Sequence, residues 1–464
     1  MTAGVNRYRL LLVMSACFAC IALDNTKLVA SLPSLARLNG VSPEWQRWTA
    51  SAGLLVYASL LLLGGSLSER FGPRRVLLLG LCGFGAASLA GAFAASAGQL
   101  IAARACSGAA TACITPATLA TLKHSFDARA RPTAIAIWTA SFGIGAALGP
   151  VLSGLLVARG GSSLVLLANL PPIAACLWGS WRLVPADLPR RDLPLDFRGA
   201  GLCLAAAGCS LFAILSGPSR GWLGLEVLSS ALVGAAALLL ARNWLRRAQW
   251  PLVDLSLFAE VRCKKALQVI FLGYFAFSGV SFVIAQYLQL ARAKAALHAG
   301  LLSMPLASSM LLGTLLAPRL MLRWGAERLL CFGSCAALAG ASLLALASYG
   351  QSDLLLCVSL IPFGAGCGSA FANATELILG SVPQERAATA AAVSESAFEL
   401  GGVLGIAVLS TLLGQTTFTQ ESVTELAPRA LWAAALAVLL ALLVALSLSR
   451  SVADRATQSV CSNR

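Results

Sequence analysis

The chain has 464 residues, of which 58% are hydrophobic and 11% are charged, and its formal net charge at pH 7 is +15. Because soluble domains carry roughly 25% charged residues, this composition excludes a single soluble core and is typical of a protein that crosses a membrane many times. The two histidines and the scattered placement of the fourteen cysteines give no support to a metal or redox centre.

Apolar runs bounded by turn residues predict an all-α polytopic membrane protein with about fourteen spans. In chain order the predicted helices lie near residues 9–33, 46–68, 75–96, 98–122, 132–158, 162–181, 199–217, 224–241, 266–290, 296–318, 329–348, 352–380, 388–413 and 430–449. Hydrophilic connections near 182–198 and 241–265 interrupt this series. They predict a six-helix N-terminal bundle over 1–183, cytoplasmic linkers with two inserted spans over 184–265, and a six-helix C-terminal bundle over 266–464.

The positive charge lies mainly on alternate connections between the predicted helices. Of the 34 Lys and Arg residues, 25 fall on the side of the N-terminus and seven on the opposite side. Basic residues concentrate on the cytoplasmic side of membrane proteins. We therefore expect a multi-pass protein of the cell inner membrane with both termini in the cytoplasm. The charge is accounted for by this orientation, and we expect no nucleic-acid partner.

An internal repeat relates the two predicted bundles. The segment LSERFGPRRVLLLGLCGFGAASLAGAFA (67–94) aligns with MLRWGAERLLCFGSCAALAGASLLALA (321–347). Each has an arginine, an aromatic residue and a glycine, then a basic residue and an apolar helix rich in Gly and Ala. Repeated halves are common among transporters, whose substrate sites lie at the interface between the halves near the bilayer midplane.

The turn between the second and third predicted helices, GSLSERFGPRR (65–75), resembles the signature loop of the major facilitator superfamily. The matching residues are Gly65, Glu69, Arg70, Gly72, Arg74 and Arg75. The glycines are expected to allow close helix approach and a tight turn. The acid and the arginines predict an ion-pair latch on the cytoplasmic side whose bonds depend on conformation.

Further segments sharpen this resemblance. RACSGAATACITPA (104–117) is similar to the fourth-span motif, with Arg104 inside the membrane and Gly108 one turn later. GAALGPVLSG (145–154) resembles the fifth-span motif of antiporters, in which small residues and a proline form a helix-contact surface. Its motif residues are Gly145, Gly149, Pro150 and Gly154.

Four more segments indicate a subfamily. ANLPPI (168–173) and LDFRGAGL (195–202) resemble the sixth-span end and the seventh-span start of the fourteen-span drug:proton antiporters. LDNTKLVASLP (23–33) is similar to the first-span signature of the fourteen-span drug:proton antiporters, and SESAFELGGVLGIAVL (394–409) resembles the thirteenth span of exporters of quaternary ammonium compounds and methyl viologen. The resemblance covers essentially the whole chain. It implies the major facilitator fold, with two six-helix bundles and two extra helices.

Ionisable residues at membrane depth are the candidate site residues: Asp24, Lys27, Arg104, Glu395 and Glu399. Each costs roughly 3 kcal/mol to insert and usually faces a cavity or a partner. Glu395 and Glu399 are four residues apart and share one helix face. Desolvation and mutual repulsion favour a bound proton on such a pair, and a lipophilic cation would displace that proton. A protonated glutamate that only joins helices by hydrogen bonds is the structural alternative.

Lys27 is a departure from the resembled family, which typically carries an apolar residue at this position. It can form a local pair with Asp24, take part in a proton-coupling pair whose bond breaks during transport, or extend toward the outer interface. Ala50 and Ser51, and likewise Ser308 and Ser309 further along the chain, replace acids that cation exporters place there. Fewer acids predict a preference for monovalent over divalent cations.

These observations predict a proton-coupled multidrug efflux antiporter that exports lipophilic, mainly cationic compounds by alternating access. No G-x-x-x-x-G-K-[ST] loop or hydrolase constellation occurs in the sequence, so we expect neither an enzyme nor a cofactor. The expected partners are small-molecule substrates, protons and the lipid bilayer, and we expect a monomer. Two alternatives remain open: an exporter of one specific endogenous metabolite or antibiotic, and a membrane scaffold that transports nothing.

Overall fold

The structure is a computed structural model that describes residues 2–39, 42–126, 130–185, 196–248, 260–350, 352–380, 387–414 and 419–462. All regular structure in these residues is helical, which confirms the predicted all-α membrane fold. The helices are α1 (Thr2–Asn39), α2 (Pro43–Phe71), α3 (Pro73–Ala92), α4 (Ala97–Ser125), α5 (Arg131–Leu167), α6 (Leu170–Leu183), α7 (Phe197–Arg220), α8 (Leu225–Arg247), α9 (Val261–Gln286), α10 (Ala296–Trp324), α11 (Ala326–Ala347), α12 (Asp353–Gly380), α13 (Ala387–Leu412) and α14 (Gln420–Ser462). A π-helical segment, Tyr287–Ala291, continues α9.

Thirteen helical segments of the described chain are long and apolar enough to cross a membrane. The second helix, α2, is outside this set, but it has 29 residues and packs against α4 and α13. The predicted fifth and sixth spans correspond to the candidate crossings Ala140–Arg159 and Ser163–Leu183.

The boundary between α5 and α6 differs from the prediction. Helical structure continues to residue 167, and α6 begins at Leu170 instead of 162, because the prolines at 171–172 fit the first turn of a helix. A Cβ on Gly149 would lie 2.9 Å from the backbone N of Lys27, while Lys27 Nζ lies 2.6 Å from Asn169 Oδ1. Twenty residues of straight helix would span about 30 Å, so the chain must fold back between Gly149 and Asn169.

The internal repeat extends to backbone geometry. Gly72 ends α2 and precedes α3, and Gly325 ends α10 and precedes α11. Their φ angles are 90° and 81°, where a side chain would be strained. Each donates its amide hydrogen to the carbonyl oxygen four residues earlier, that of Ser68 at 3.0 Å and that of Met321 at 2.9 Å. Both turns therefore need glycine for the same reason.

Packing between the first six and the last six helices is concentrated at one end of the molecule. Leu32 lies seven residues before the end of α1 and Ala50 seven residues after the start of α2, and the largest hydrophobic core joins them to residues of α7 and of α9 to α14. Two further cores lie at the opposite end. One is built from α1, α3, α4, α5 and α6, and the other from α9, α11, α12, α13 and α14. At the end that contains Leu32, one core spans both groups of helices, and the described part of the molecule is closed there. At the opposite end each group of helices has its own core.

The helices α7 and α8 pack against each other along the boundary between these two groups. Besides its partner, α7 contacts α2 and α13. Arg220 at the end of α7 lies 3.6 Å from Glu44 of α2. At the other end of the pair, Trp244 of α8 donates to the carboxylate of Asp196 at 2.9 Å. The two extra helices are therefore joined to α2 at one end and to each other at the opposite end.

Candidate functional site

A buried polar cluster joins α1, α4 and the start of α6. Arg104 donates through Nη1 to Asp24 Oδ2 at 2.5 Å and through Nη2 to Asn25 Oδ1 at 3.1 Å. Asn169 donates to Asp24 Oδ1 at 2.6 Å, and its own Oδ1 accepts from Lys27 Nζ at 2.6 Å. The charged members are almost completely buried, with exposures of 2% for Asp24, 1% for Lys27 and 4% for Arg104.

The structure corrects two expectations for Lys27. The first was a direct pair with Asp24, but Lys27 Nζ donates to Asn169 Oδ1, and Asn169 in turn donates to Asp24, so the amide of Asn169 lies between the two charges. The second was extension toward the outer interface, which the burial of Lys27 contradicts. Sequence reasoning did not include Asn169 among the site residues, although it lies in the segment ANLPPI (168–173), just before consecutive prolines.

Close contact between α2 and α4 positions the guanidinium of Arg104. A Cβ on Gly108 would lie 2.1 Å from the carbonyl oxygen of Gly53. A Cβ on Gly53 would lie 3.2 Å from Arg104 Nη2. The two helices therefore cross at paired glycines, and the arginine side chain lies against that crossing.

The antiporter-like motif of α5 contacts both groups of helices. A Cβ on Gly145 would lie 2.3 Å from a backbone carbonyl oxygen of α1, and one on Gly149 would lie 2.0 Å from Thr26 Oγ1. A Cβ on Gly154 would lie 2.4 Å from the backbone of α10, where Pro150 also faces a glycine. One helix thus contacts α1 beside the charged cluster and α10 across the boundary.

The close helix approach expected at Gly65 occurs one residue earlier. A Cβ on Gly64 would lie 2.0 Å from the carbonyl oxygen of Ala112 on α4, whereas one on Gly65 would lie 3.9 Å from the side chain of Pro116. The expectation for Gly65 was wrong because the helix turns this position away from the α4 backbone.

The basic residues of the same loop make varied contacts. Arg74 donates through Nη2 to the carbonyl oxygen of Trp181 on α6 at 2.7 Å. The guanidinium of Arg70 lies 5.5 Å from the centroid of the neighbouring phenylalanine ring, and Arg75 is exposed. The side chain of Glu69 lies outside the described residues, so the ion-pair latch stays a prediction.

The two carboxyl groups of α13 lie at the boundary between the helix groups. Glu399 is 4% exposed, and Glu395, one turn earlier, is half-buried. Among the described residues, Oε2 of Glu399 is buried and has no hydrogen-bond partner. Ser396 between them donates to the carbonyl oxygen of Ala58 on α2 at 3.5 Å. These acids therefore lie where the two groups of helices meet.

Aromatic side chains surround this part of α13. The ring of Tyr274 on α9 has its centroid 5.3 Å from that of Phe398, 5.7 Å from that of Phe277 and 5.8 Å from that of Phe371. Tyr274 also interacts electrostatically with both carboxyl groups of α13, as does Tyr57 of α2. Aromatic faces next to carboxylates form an environment that suits a weakly hydrated cation.

A family model, Major Facilitator Superfamily, matches residues 14–406 of the chain. The chain belongs to the major facilitator superfamily. Two solved transporters have a similar fold: the human organic anion transporter MFSD10 (TM-score 0.64, 18% identity, covering 95% of this chain and 99% of that one) and the xylose transporter XylE from E. coli (TM-score 0.62, 14% identity, covering 95% and 97%). The protein is a multi-pass membrane transporter of this superfamily rather than an enzyme.

Several similar proteins are named for drug efflux or for resistance. The multidrug efflux pump LfrA of Mycolicibacterium smegmatis is 32% identical over 406 residues, covering 87% of this chain and 80% of the relative. The methyl viologen resistance protein SmvA of Salmonella typhimurium is 31% identical over 420 residues (88% and 82%). The tetracenomycin C resistance and export protein of Streptomyces glaucescens is 29% identical over 408 residues (87% and 75%).

Proposed function

We propose that this transporter is a fourteen-span drug:proton antiporter that exports lipophilic, mainly cationic compounds across the cell inner membrane. The observation that carries the proposal is the pair Glu395 and Glu399. Both carboxyl groups lie at the boundary between the helix groups, and Glu399 has a buried oxygen without a hydrogen-bond partner among the described residues. Similarity to a multidrug efflux pump and to a methyl viologen resistance protein supports this choice.

The exchange follows from competition for the same carboxyl groups. A carboxyl group removed from water holds its proton more tightly, whereas a neighbouring cation favours the ionised form. A cation entering between the aromatic rings and α13 would therefore expel a proton from Glu395 or Glu399, and a returning proton would expel the cation. The cluster of Asp24, Lys27 and Arg104 would couple this exchange to movement of α1 against α4 and α6.

Alternating access would come from movement of the two six-helix bundles, residues 1–183 and 266–464, about the site between them. With both termini in the cytoplasm, the end closed by the shared core would face outward, and the end with separate cores would face the cytoplasm. The captured conformation would then be one that receives substrate from inside. Because the two bundles of one chain complete the site, we propose that the monomer is the working unit.

Ethidium efflux from inverted membrane vesicles with an imposed pH gradient tests this function. Glu395→Gln and Glu399→Gln remove the exchangeable proton with little change in shape, and Glu421→Gln at the exposed start of α14 is the matched control. We expect at least a tenfold loss of pH-driven transport in the first two variants and wild-type transport in the control. Full transport in both site variants would contradict the carboxyl-exchange mechanism.

An exporter of one specific compound is the second candidate, and similarity to the tetracenomycin C export protein favours it. The two candidates differ in substrate range. A panel of monovalent, divalent and uncharged lipophilic compounds, assayed in the same vesicles, separates them. Transport of several monovalent cations supports the first candidate, and transport of one compound class alone supports the second.

A further inference from the structure

The cluster on α1, α4 and α6 has a surplus of positive charge when every member is in its ordinary ionisation state. Arg104 and Lys27 are cations, Asp24 is the anion, and the three are joined through direct contacts and the amide of Asn169. An uncompensated charge in a dry interior is costly. Loss of one proton would make the cluster neutral.

Hydrogen bonding distinguishes the three charged members. Arg104 cannot lose a proton in a protein. Asp24 has a donor on each carboxylate oxygen, Arg104 Nη1 at 2.5 Å and Asn169 Nδ2 at 2.6 Å, so a proton on this group would remove the negative charge that strengthens both bonds. Within the described residues, the ammonium group of Lys27 has one hydrogen-bond acceptor, Asn169 Oδ1, for its three N–H donors. A neutral amine would keep that bond.

The other groups that face Lys27 add no further anion that would stabilise its ammonium form. On α1 itself the titratable groups are Asp24 and Cys20, and from α4 comes Arg104. The start of α6 contributes the uncharged Asn169. The α5 residue nearest to Lys27 is Gly149, since a Cβ on Gly149 would lie 2.9 Å from the backbone N of Lys27. Gly149 has no side chain and adds no titratable group. One anion, already bound to Arg104, thus faces two cations.

We propose that Lys27 is the residue of the N-terminal helices that loses and regains a proton during transport, while Asp24 remains a fixed anion. The proposal rests on the proton-coupled export proposed above. When a cation enters from the cytoplasm, the Nζ–H bond of Lys27 breaks, the proton passes to water, and the amine keeps its bond to Asn169. Net positive charge is conserved at the site. Reprotonation restores the ammonium group, which repels the cation.

Proton release on ethidium binding tests this assignment in the purified full-length protein, measured with a pH indicator dye in weak buffer. Lys27→Gln cannot carry the charge, and Lys27→Arg cannot lose it. We expect both variants to release one proton fewer per bound ethidium than the wild type, although they differ in charge. Lys27→Arg should also bind ethidium at least tenfold more weakly, whereas Lys27→Gln should not. A merely structural role for Lys27 would not change the proton count in both.

The outcomes separate this proposal from the function on which it rests. Wild-type proton counts in both Lys27 variants overturn the role of Lys27 alone. A wild type that binds ethidium and releases no proton contradicts the proposed function itself. Should neither Lys27 variant fold, the double variant Glu395→Gln/Glu399→Gln with Lys27 intact decides the matter. We expect it still to release a proton on ethidium binding, and its failure to do so overturns the role of Lys27.

Discussion

Gly149→Ala tests whether α5 must contact α1 beside the charged cluster. The added Cβ would lie 2.0 Å from Thr26 Oγ1, 2.8 Å from Thr26 Cβ and 2.9 Å from the backbone N of Lys27. Rotation of the threonine side chain relieves the first contact but not the others, so the two helices must separate. Overpacking of this kind costs about 1–3 kcal/mol. It would also move Lys27 relative to Asn169.

Gly201→Ala on α7 is the matched control, because a Cβ at that position would meet nothing within 4 Å. Both substitutions gain the same helix propensity, about 1 kcal/mol, so the difference between the variants isolates the clash. We expect Gly149→Ala to unfold at a temperature several degrees below that of Gly201→Ala in detergent, monitored by tryptophan fluorescence, and to lose most ethidium efflux. Equal unfolding temperatures and equal efflux in the two variants would refute the packing argument.

Two further predictions concern the same helices. Asp24→Asn should destabilise the protein by about 3–5 kcal/mol, because it leaves the buried Arg104 without its carboxylate. Adding Arg104→Gln should recover part of that loss. Additive effects in thermal unfolding of the single and double variants would argue against the ion pair. Gly64→Ala should reduce folded yield and efflux because its Cβ would clash with α4, while Gly65→Ala should be tolerated. Folded yield is measured by size-exclusion profile and efflux by transport. A larger loss in Gly65→Ala than in Gly64→Ala would contradict the observed contact.

Local features of the chain were predictable from the sequence wherever one physical effect dominates. The apolar runs placed the helices because a membrane crossing needs about 20 apolar residues, and the positions of Gly72 and Gly325 followed from turns that need glycine. The burial of Arg104 followed from its place inside such a run. These expectations depend on a few neighbouring residues.

Features that depend on packing between helices could not be predicted from neighbouring residues in the sequence. Asn169 lies 145 residues from Asp24 in the chain, and the hydrogen bond between them depends on where the α5–α6 segment folds back. The choice between Gly64 and Gly65 depends on the rotation of α2 against α4. The sequence predicts a helix start at 162, before the observed start at Leu170, because the apolar run continues across the break; the prolines that follow are the better signal.

Proton movement that accompanies substrate movement is the most direct measure of exchange at Glu395 and Glu399. Proteoliposomes containing the purified protein are given an ethidium gradient and no imposed pH gradient, and the internal pH is followed with a trapped dye. With carboxyl exchange, ethidium moving in one direction drives protons in the other, and Glu395→Gln/Glu399→Gln loses most of this coupled flux. Ethidium movement at the wild-type rate with no change in pH would contradict it.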